Sequence, residues 1–229
     1  ENVVERIIKK LEDLKNTKVE KQPLPPTENN VLKTFSIENE PVVELVNNRE
    51  REYIFADLPD IGYSTDIDTV MASSYQVKKQ LQQIVKIEQP ITNTLLYKRI
   101  LRIWNLTRVT TRLQVFIDSL LEDAYKDPLS GDTIIYWENK EKAKECDFYR
   151  INSKRDILDI PILEVMSAAR YAIEQQISMP IEDLKRLTSQ LLGFSRKGNN
   201  LDMVTEQTIQ LLINKGIFSH ANGMVSMNN

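Results

Sequence analysis

The side chains with the clearest chemical purpose in this sequence are cations in two stretches free of acids. No Asp or Glu occurs from Gln89 to Phe116, where Lys98, Arg99, Arg102, Arg108 and Arg112 all lie. None occurs from Leu184 to Leu201 either, where Lys185, Arg186, Arg196 and Lys197 lie. Guanidinium and ammonium groups at this density suit phosphate oxygens, and neutral donors beside them suit sugars and base edges. Thr107, Thr110, Thr111, Gln114, Ser195, Asn199 and Asn200 supply such donors. The candidate nucleic-acid-binding residues are therefore Lys98, Arg102, Arg108, Thr111, Arg112, Lys185, Arg196, Lys197 and Asn199. A plain solvated helix surface would carry the same residue types, and Arg108 or Arg196 would then bond carbonyls of the preceding helix.

The two stretches share a pattern. "WNLTRVTTRL" (Trp104 to Leu113) and "LGFSRKGNNL" (Leu192 to Leu201) each place a turn-forming residue (Asn105, Gly193) before an apolar one (Leu106, Phe194). A hydroxyl (Thr107, Ser195), an arginine (Arg108, Arg196) and, five positions later, a leucine (Leu113, Leu201) follow. Two segments with the same offsets point to a repeated structural unit.

The elements around them read alike. A helix over about 72–88 has Tyr75, Leu81, Ile84 and Val85 on one face and is stopped by Pro90. Thr92 or Asn93 caps a second helix, 95–104, with Leu96, Ile100, Ile103 and Trp104 apolar, and Asn105 ends it in the left-handed region. A third helix carries Leu113, Phe116, Ile117, Leu120 and Leu121 at i, i+3, i+4, i+7, i+8. "DTIIYWENK" and "CDFYRI" read as a strand pair after it. The order returns in "PILEVMSAARYAIEQQI", in a helix from 182 to 192 that Gly193 terminates, and in a helix bearing Leu201, Val204, Ile209 and Leu212. "GIFSHANGMVSM" closes it as a hairpin around Asn-Gly. Pro180 aligns with Pro90, which makes the second helix of the first unit slightly the longer. Trp104 and Leu192 read as core residues, base stacking by Trp104 being the alternative, and Trp137, in the wing strand, reads as packing or as groove contact.

This order of elements is that of a winged helix. The expected fold is mainly α with small β-hairpins (α+β), in two tandem winged-helix-like helix-turn-helix units over 72–152 and 153–229. Residues 1–71 precede them as an acidic segment: an amphipathic helix with Val3, Val4, Ile7, Ile8 and Leu11, a linker with Pro23, Pro25 and Pro26, and short strands at "PVVELV" and "REYIFADL".

The series "IVKIEQPIT", "YKRILRIWNLTRVTTRL", "ILEVMSAARYAIEQQISMPIEDL" and "LLGFSRKGNNL", over roughly 73–225, resembles a domain of unknown function. That domain stands at the C-terminal end of large bacterial superfamily I helicase-like proteins. Gln89, Thr92, Asn105 and Thr110 replace glycines and a histidine of the family pattern. The resemblance implies a parent chain with an ATPase-helicase core, often with a Vsr-like endonuclease fold, and ATP and Mg²⁺ for that missing core only. A start at Glu1 rather than Met fits a piece of such a chain.

Composition sets the outer limits. The 229 residues, 41% hydrophobic, suffice for one large or two small domains. Residues 1–70 hold 15 acids and nine bases and the rest 18 acids and 21 bases, so a net charge of −3 conceals an acidic first part and a mildly basic remainder. No apolar run is long enough to span a membrane and no secretory signal is evident. A single cysteine, Cys146, fits a reducing compartment, and the cytoplasm is the expected location. His220 reads as a solvated surface residue. No phosphate loop, nucleophile constellation or metal-ligand spacing is present, so neither catalysis nor a cofactor is expected of these residues. The function expected is accessory: holding DNA, or alternatively RNA, for a core elsewhere in the parent chain. The rival expectation is a protein-protein or intramolecular docking module without nucleic-acid contact.

Overall fold

The computed structural model describes residues 47–63, 65–127, 133–151 and 154–228. The expected amphipathic helix, proline linker and "PVVELV" strand lie outside these residues. Among the described residues the fold is mixed α and β, with eight α-helices and three small sheets. They fall within one compact unit, Val46–Asn229.

Strand β1 (Glu50–Glu52) opens the described chain. The strand expected across "REYIFADL" ends there, because Tyr53 and Ala56 turn inward: the Tyr53 hydroxyl and the Ala56 N–H donate to Glu88 at 2.6 and 3.0 Å. Helix α1 (Ile67–Ala72) is capped by Asp66, whose carboxylate accepts from the Thr69 N–H at 2.8 Å. Ser73 breaks the path before α2 (Ser74–Glu88), so the single helix expected here is two. The buried face of α2 is Val77, Leu81, Ile84, Val85 and Glu88; Tyr75, assigned to that face, points to solvent.

Strand β2 (Ile91–Thr92) leads into α3 (Asn93–Ile103), where Thr92 accepts from the Leu95 N–H. Leu96 and Ile100 are fully buried, each contributing about 1.5–3 kcal/mol relative to exposure. Asn105 then takes a φ of +46°, which Asn tolerates better than most residues. Helix α4 (Thr111–Leu120) begins at Thr110, whose hydroxyl accepts from the Leu113 N–H. Strands β3 (Tyr125–Asp127) and β4 (Ile135–Trp137) complete an antiparallel sheet in the order β2-β4-β3.

"CDFYRI" is not the partner of that strand, as expected, but belongs elsewhere. A short helix, α5 (Lys140–Lys144), carries the chain away from β4, and β5 (Tyr149–Ile151) pairs in parallel with β1, Tyr149 opposite Glu50. A 3₁₀ turn at Ile157–Asp159 follows.

Helix α6 (Ile162–Glu174), β6 (Met179–Pro180), α7 (Ile181–Leu191), α8 (Asn199–Asn214), β7 (Phe218–Ala221) and β8 (Met224–Met227) repeat the earlier order. Their sheet runs β6-β8-β7, again antiparallel, and Asn222 and Gly223 form its hairpin turn with φ of +53° and +76°. The two segments superpose in number at an offset of 88: Thr92 with Pro180 before the second helix, Asn105 with Gly193 at its end, and Thr110 with Gly198 before the third. Both second helices have 11 residues, which corrects the expected length difference. The prolines mark different positions: Pro90 precedes its strand and Pro180 ends one. Trp104, Trp137 and Leu192 are all buried, which closes base stacking to Trp104 and groove contact to Trp137.

Candidate nucleic-acid interface

The candidate cations divide by what the fold has already given them. Lys98 reaches across to Asp159 with both carboxylate oxygens within 2.8 Å, and Thr92 donates to the Asp159 carbonyl. It joins the two repeated segments and is occupied there. Arg99, in the same acid-free run, bonds the buried Glu88 at 2.9 Å and the Ala56 carbonyl at 2.6 Å. Lys185 has a side chain only 9% exposed, surrounded by Asp202, Glu206 and Glu182 at 2.7, 3.1 and 3.2 Å. Burial alone would lower its pKa, but hydrogen bonds to those three carboxylates hold the ammonium above its ordinary range. Arg112 pairs with Asp68 at 2.8 Å on the surface, and Arg186 with Asp183 at 2.9 Å.

Arg102, Arg108, Arg196 and Lys197 are exposed and have no ion-pair partner among the described residues. Arg108 and Arg196 stand at matched positions in the loops that enter α4 and α8, and Arg102 lies in the last turn of α3. Thr111 and Asn199, both exposed, are the first residues of those helices. Around the second loop a cleft of about 200 Å³ is lined by Arg186, Gln190, Phe194, Arg196, Lys197 and Asp202, among others. A second depression, with Asp156, Asn199 and Asn200 in its wall, shares Arg196 with the first. Gly198 precedes α8 and provides no side-chain cap, so the first N–H groups of that helix are left to solvent or ligand beside two free cations.

A buried ionic cluster that residue patterns alone did not reveal ties the first repeated segment to the second. Glu164 on α6 is fully buried and accepts from Arg150 at 3.1 Å and from Arg155 at 2.9 and 3.0 Å. Burial would raise its pKa, yet the charges of Arg150 and Arg155 hold it below the usual carboxylate range. The other end of Arg150 donates to the carbonyls of Glu88, Gln89 and Pro90, so a single side chain clamps the end of α2 to the start of α6. The available signal was the placement of charges at core spacing: Glu88 follows Leu81, Ile84 and Val85, and Glu164 precedes Val165. A lone acid on an apolar face requires a buried cation.

Cys146 is half-buried; burial, then the charge of Glu164, pushes its thiol up to about 12, so it is protonated at neutral pH. His220 is exposed on β7. Among the described residues no three His, Cys, Asp or Glu side chains are placed to hold a metal ion, and no helix is long and apolar enough to cross a membrane.

A family model described as "Protein of unknown function (DUF3320)" matches residues 72–115. This similarity spans α2, β2, α3 and the entrance to α4, and so includes the first basic loop. No curated protein and no solved structure matches the chain.

Proposed function

We propose that this chain is an accessory nucleic-acid-binding module of a helicase-like protein, built from two winged-helix-like units that hold DNA, or RNA, for an ATPase or nuclease core elsewhere in the parent chain. The observation that carries this reading is the repeated placement of exposed cations with no ion-pair partner among the described residues, Arg108 in one unit and Arg196 with Lys197 in the other, directly before the third helix. In a helix-turn-helix that position faces the phosphates flanking a groove. The three-helix order and the three-stranded sheet of each unit support the winged-helix assignment. ATP and Mg²⁺ belong, in this reading, to the core and not to these residues.

The test is a mobility titration across salt concentration with wild type and R102A/R108A/R196A/K197A. The variant is expected to bind more weakly, with a log–log salt slope on duplex DNA shallower by about 0.9 for each phosphate that it no longer neutralises. Unchanged binding by a normally folded variant would overturn the assignment. A docking module is the second reading, favoured by a depression of about 420 Å³ between α2 and α4 with Val85, Leu120, Leu121 and Ala124 in its wall. It predicts no oligonucleotide binding even at low salt.

A further inference from the structure

Ten large apolar side chains are exposed among the described residues, and one pair of them stands at matched positions of the two units. Val115 on α4 is 65% exposed and Met203 on α8 is 45% exposed, and their numbers differ by the same 88 that relates the caps and turns. Each is the fifth residue of its third helix, one turn after an exposed Thr111 or Asn199 and one turn before an exposed Ser119 or Gln207. Single exposed apolar residues are ordinary on protein surfaces, but the same exposure repeated on the same helical face is not accounted for by packing.

Resting on the reading of these segments as nucleic-acid-binding units, we infer that Val115 and Met203 contact the C5-methyl group of thymine, so that the preferred ligand is duplex DNA and not RNA. The major groove of B-DNA admits a helix, and its only apolar feature is the thymine methyl, which apolar side chains cover while hydroxyl and amide neighbours bond base edges. A-form RNA lacks that methyl, and its major groove is too deep and narrow for a helix. Charge complements this assignment. Arg108 and Arg196, unpaired among the described residues, lead into the two helices, and the acids sharing the face of α8, Asp202 and Glu206, are bound by Lys185. A protein-docking face would need contiguous apolar surface. Val115 does border a shallow groove with Met71 and Phe116, but Met203 stands between amides.

The experiment compares binding of the full chain to one A·T-rich duplex and to the same duplex with every thymine replaced by uracil, which removes the methyl groups alone. Wild type is expected to bind the thymine duplex about four-fold more tightly for each methyl covered. V115A/M203A, with an unchanged melting temperature, is expected to bind both duplexes as wild type binds the uracil form. Equal binding of the two duplexes by wild type overturns this inference while leaving the proposed function standing. Failure to bind any nucleic acid overturns both. Equal binding together with self-association that V115A/M203A abolishes would assign the face to protein contact and likewise overturn the inference.

Discussion

In the first unit the turn after α3 is bonded to the chain that precedes α1, whereas among the described residues no segment bonds across the turn after α7. The Ile61 N–H donates to the Ile103 carbonyl at 3.0 Å, Thr65 to the Trp104 carbonyl, and Asn105 to the Tyr63 carbonyl at 3.4 Å. Asp68 takes Arg112, and Trp104 donates its indole N–H to Gln80 at 2.8 Å. In the second unit Leu192 replaces the indole, Gly193 with φ +88° replaces Asn105, and Asn200 replaces Arg112. The helices differ as well. Leu81 and Ile84 of α2 correspond to Ala169 and Ala172 of α6, and the small side chains let α6 and α7 approach more closely than α2 and α3 do. One backbone plan therefore supports two surfaces: the first is buttressed and partly occupied, and the second is open beside free cations.

The largest effect that separates the units concerns their buried charges. Glu164 occupies the place that the exposed Gln76 holds in the first unit. E164A strands Arg150 and Arg155 without their counterion, and a loss of about 3–5 kcal/mol is expected by denaturant titration. Q76A should stay within about 0.5 kcal/mol. Because the folded-state pKa of Glu164 is depressed, its stabilisation is fully present above the unfolded value of about 4.3 and is lost as pH falls through the lower, folded one. The acid limb of a stability–pH profile is therefore expected to flatten in E164Q; a limb of unchanged slope would contradict the depressed pKa.

Next in size is the division of binding between the turns. R196A/K197A is expected to weaken DNA binding about ten-fold or more at moderate salt, and R102A/R108A by less, because Asp68, paired with Arg112, adds negative charge beside that turn. The reverse order in a salt-controlled anisotropy titration would break the contrast between the open and the buttressed unit. The smallest effect tests the caps. T110A is expected to cost about 1 kcal/mol, whereas G198S should gain a few tenths, since a Cβ at Gly198 meets nothing within 4 Å. Thermal melts of the two variants moving in the same direction would show that the two helix starts are alike after all.

Sequence periodicity located α3 and α7 to within two residues, and it placed the apolar stripes of α4 and α8; Asn105 and Gly193 mark the ends of the first two, and Thr110 the start of α4. Helix α1 escaped notice because six residues hold too few turns for a stripe, although Asp66 is a legible cap. The misplaced β5 has a different cause. Strand partners are set by tertiary approach, and "CDFYRI" carries no mark of pairing with residues almost a hundred positions earlier. The candidate site was legible as a set of cations but not as a site: which of them are free depends on Asp68, Asp159, Asp202 and Glu206, and their reach is visible only in space.

If these units bind nucleic acid as proposed, the clamp formed by Arg150 bears on affinity without itself lying in a loop. Because it fastens the carbonyls after α2 to Glu164 on α6, the two basic loops are presented together rather than on a free tether. On the proposed function, once one loop has engaged a nucleic acid, the other meets the same molecule at a high effective concentration, so the two grips combine into avidity. Loosening the clamp is then expected to lower the apparent affinity of a chain in which Arg102, Arg108, Arg196 and Lys197 are all intact.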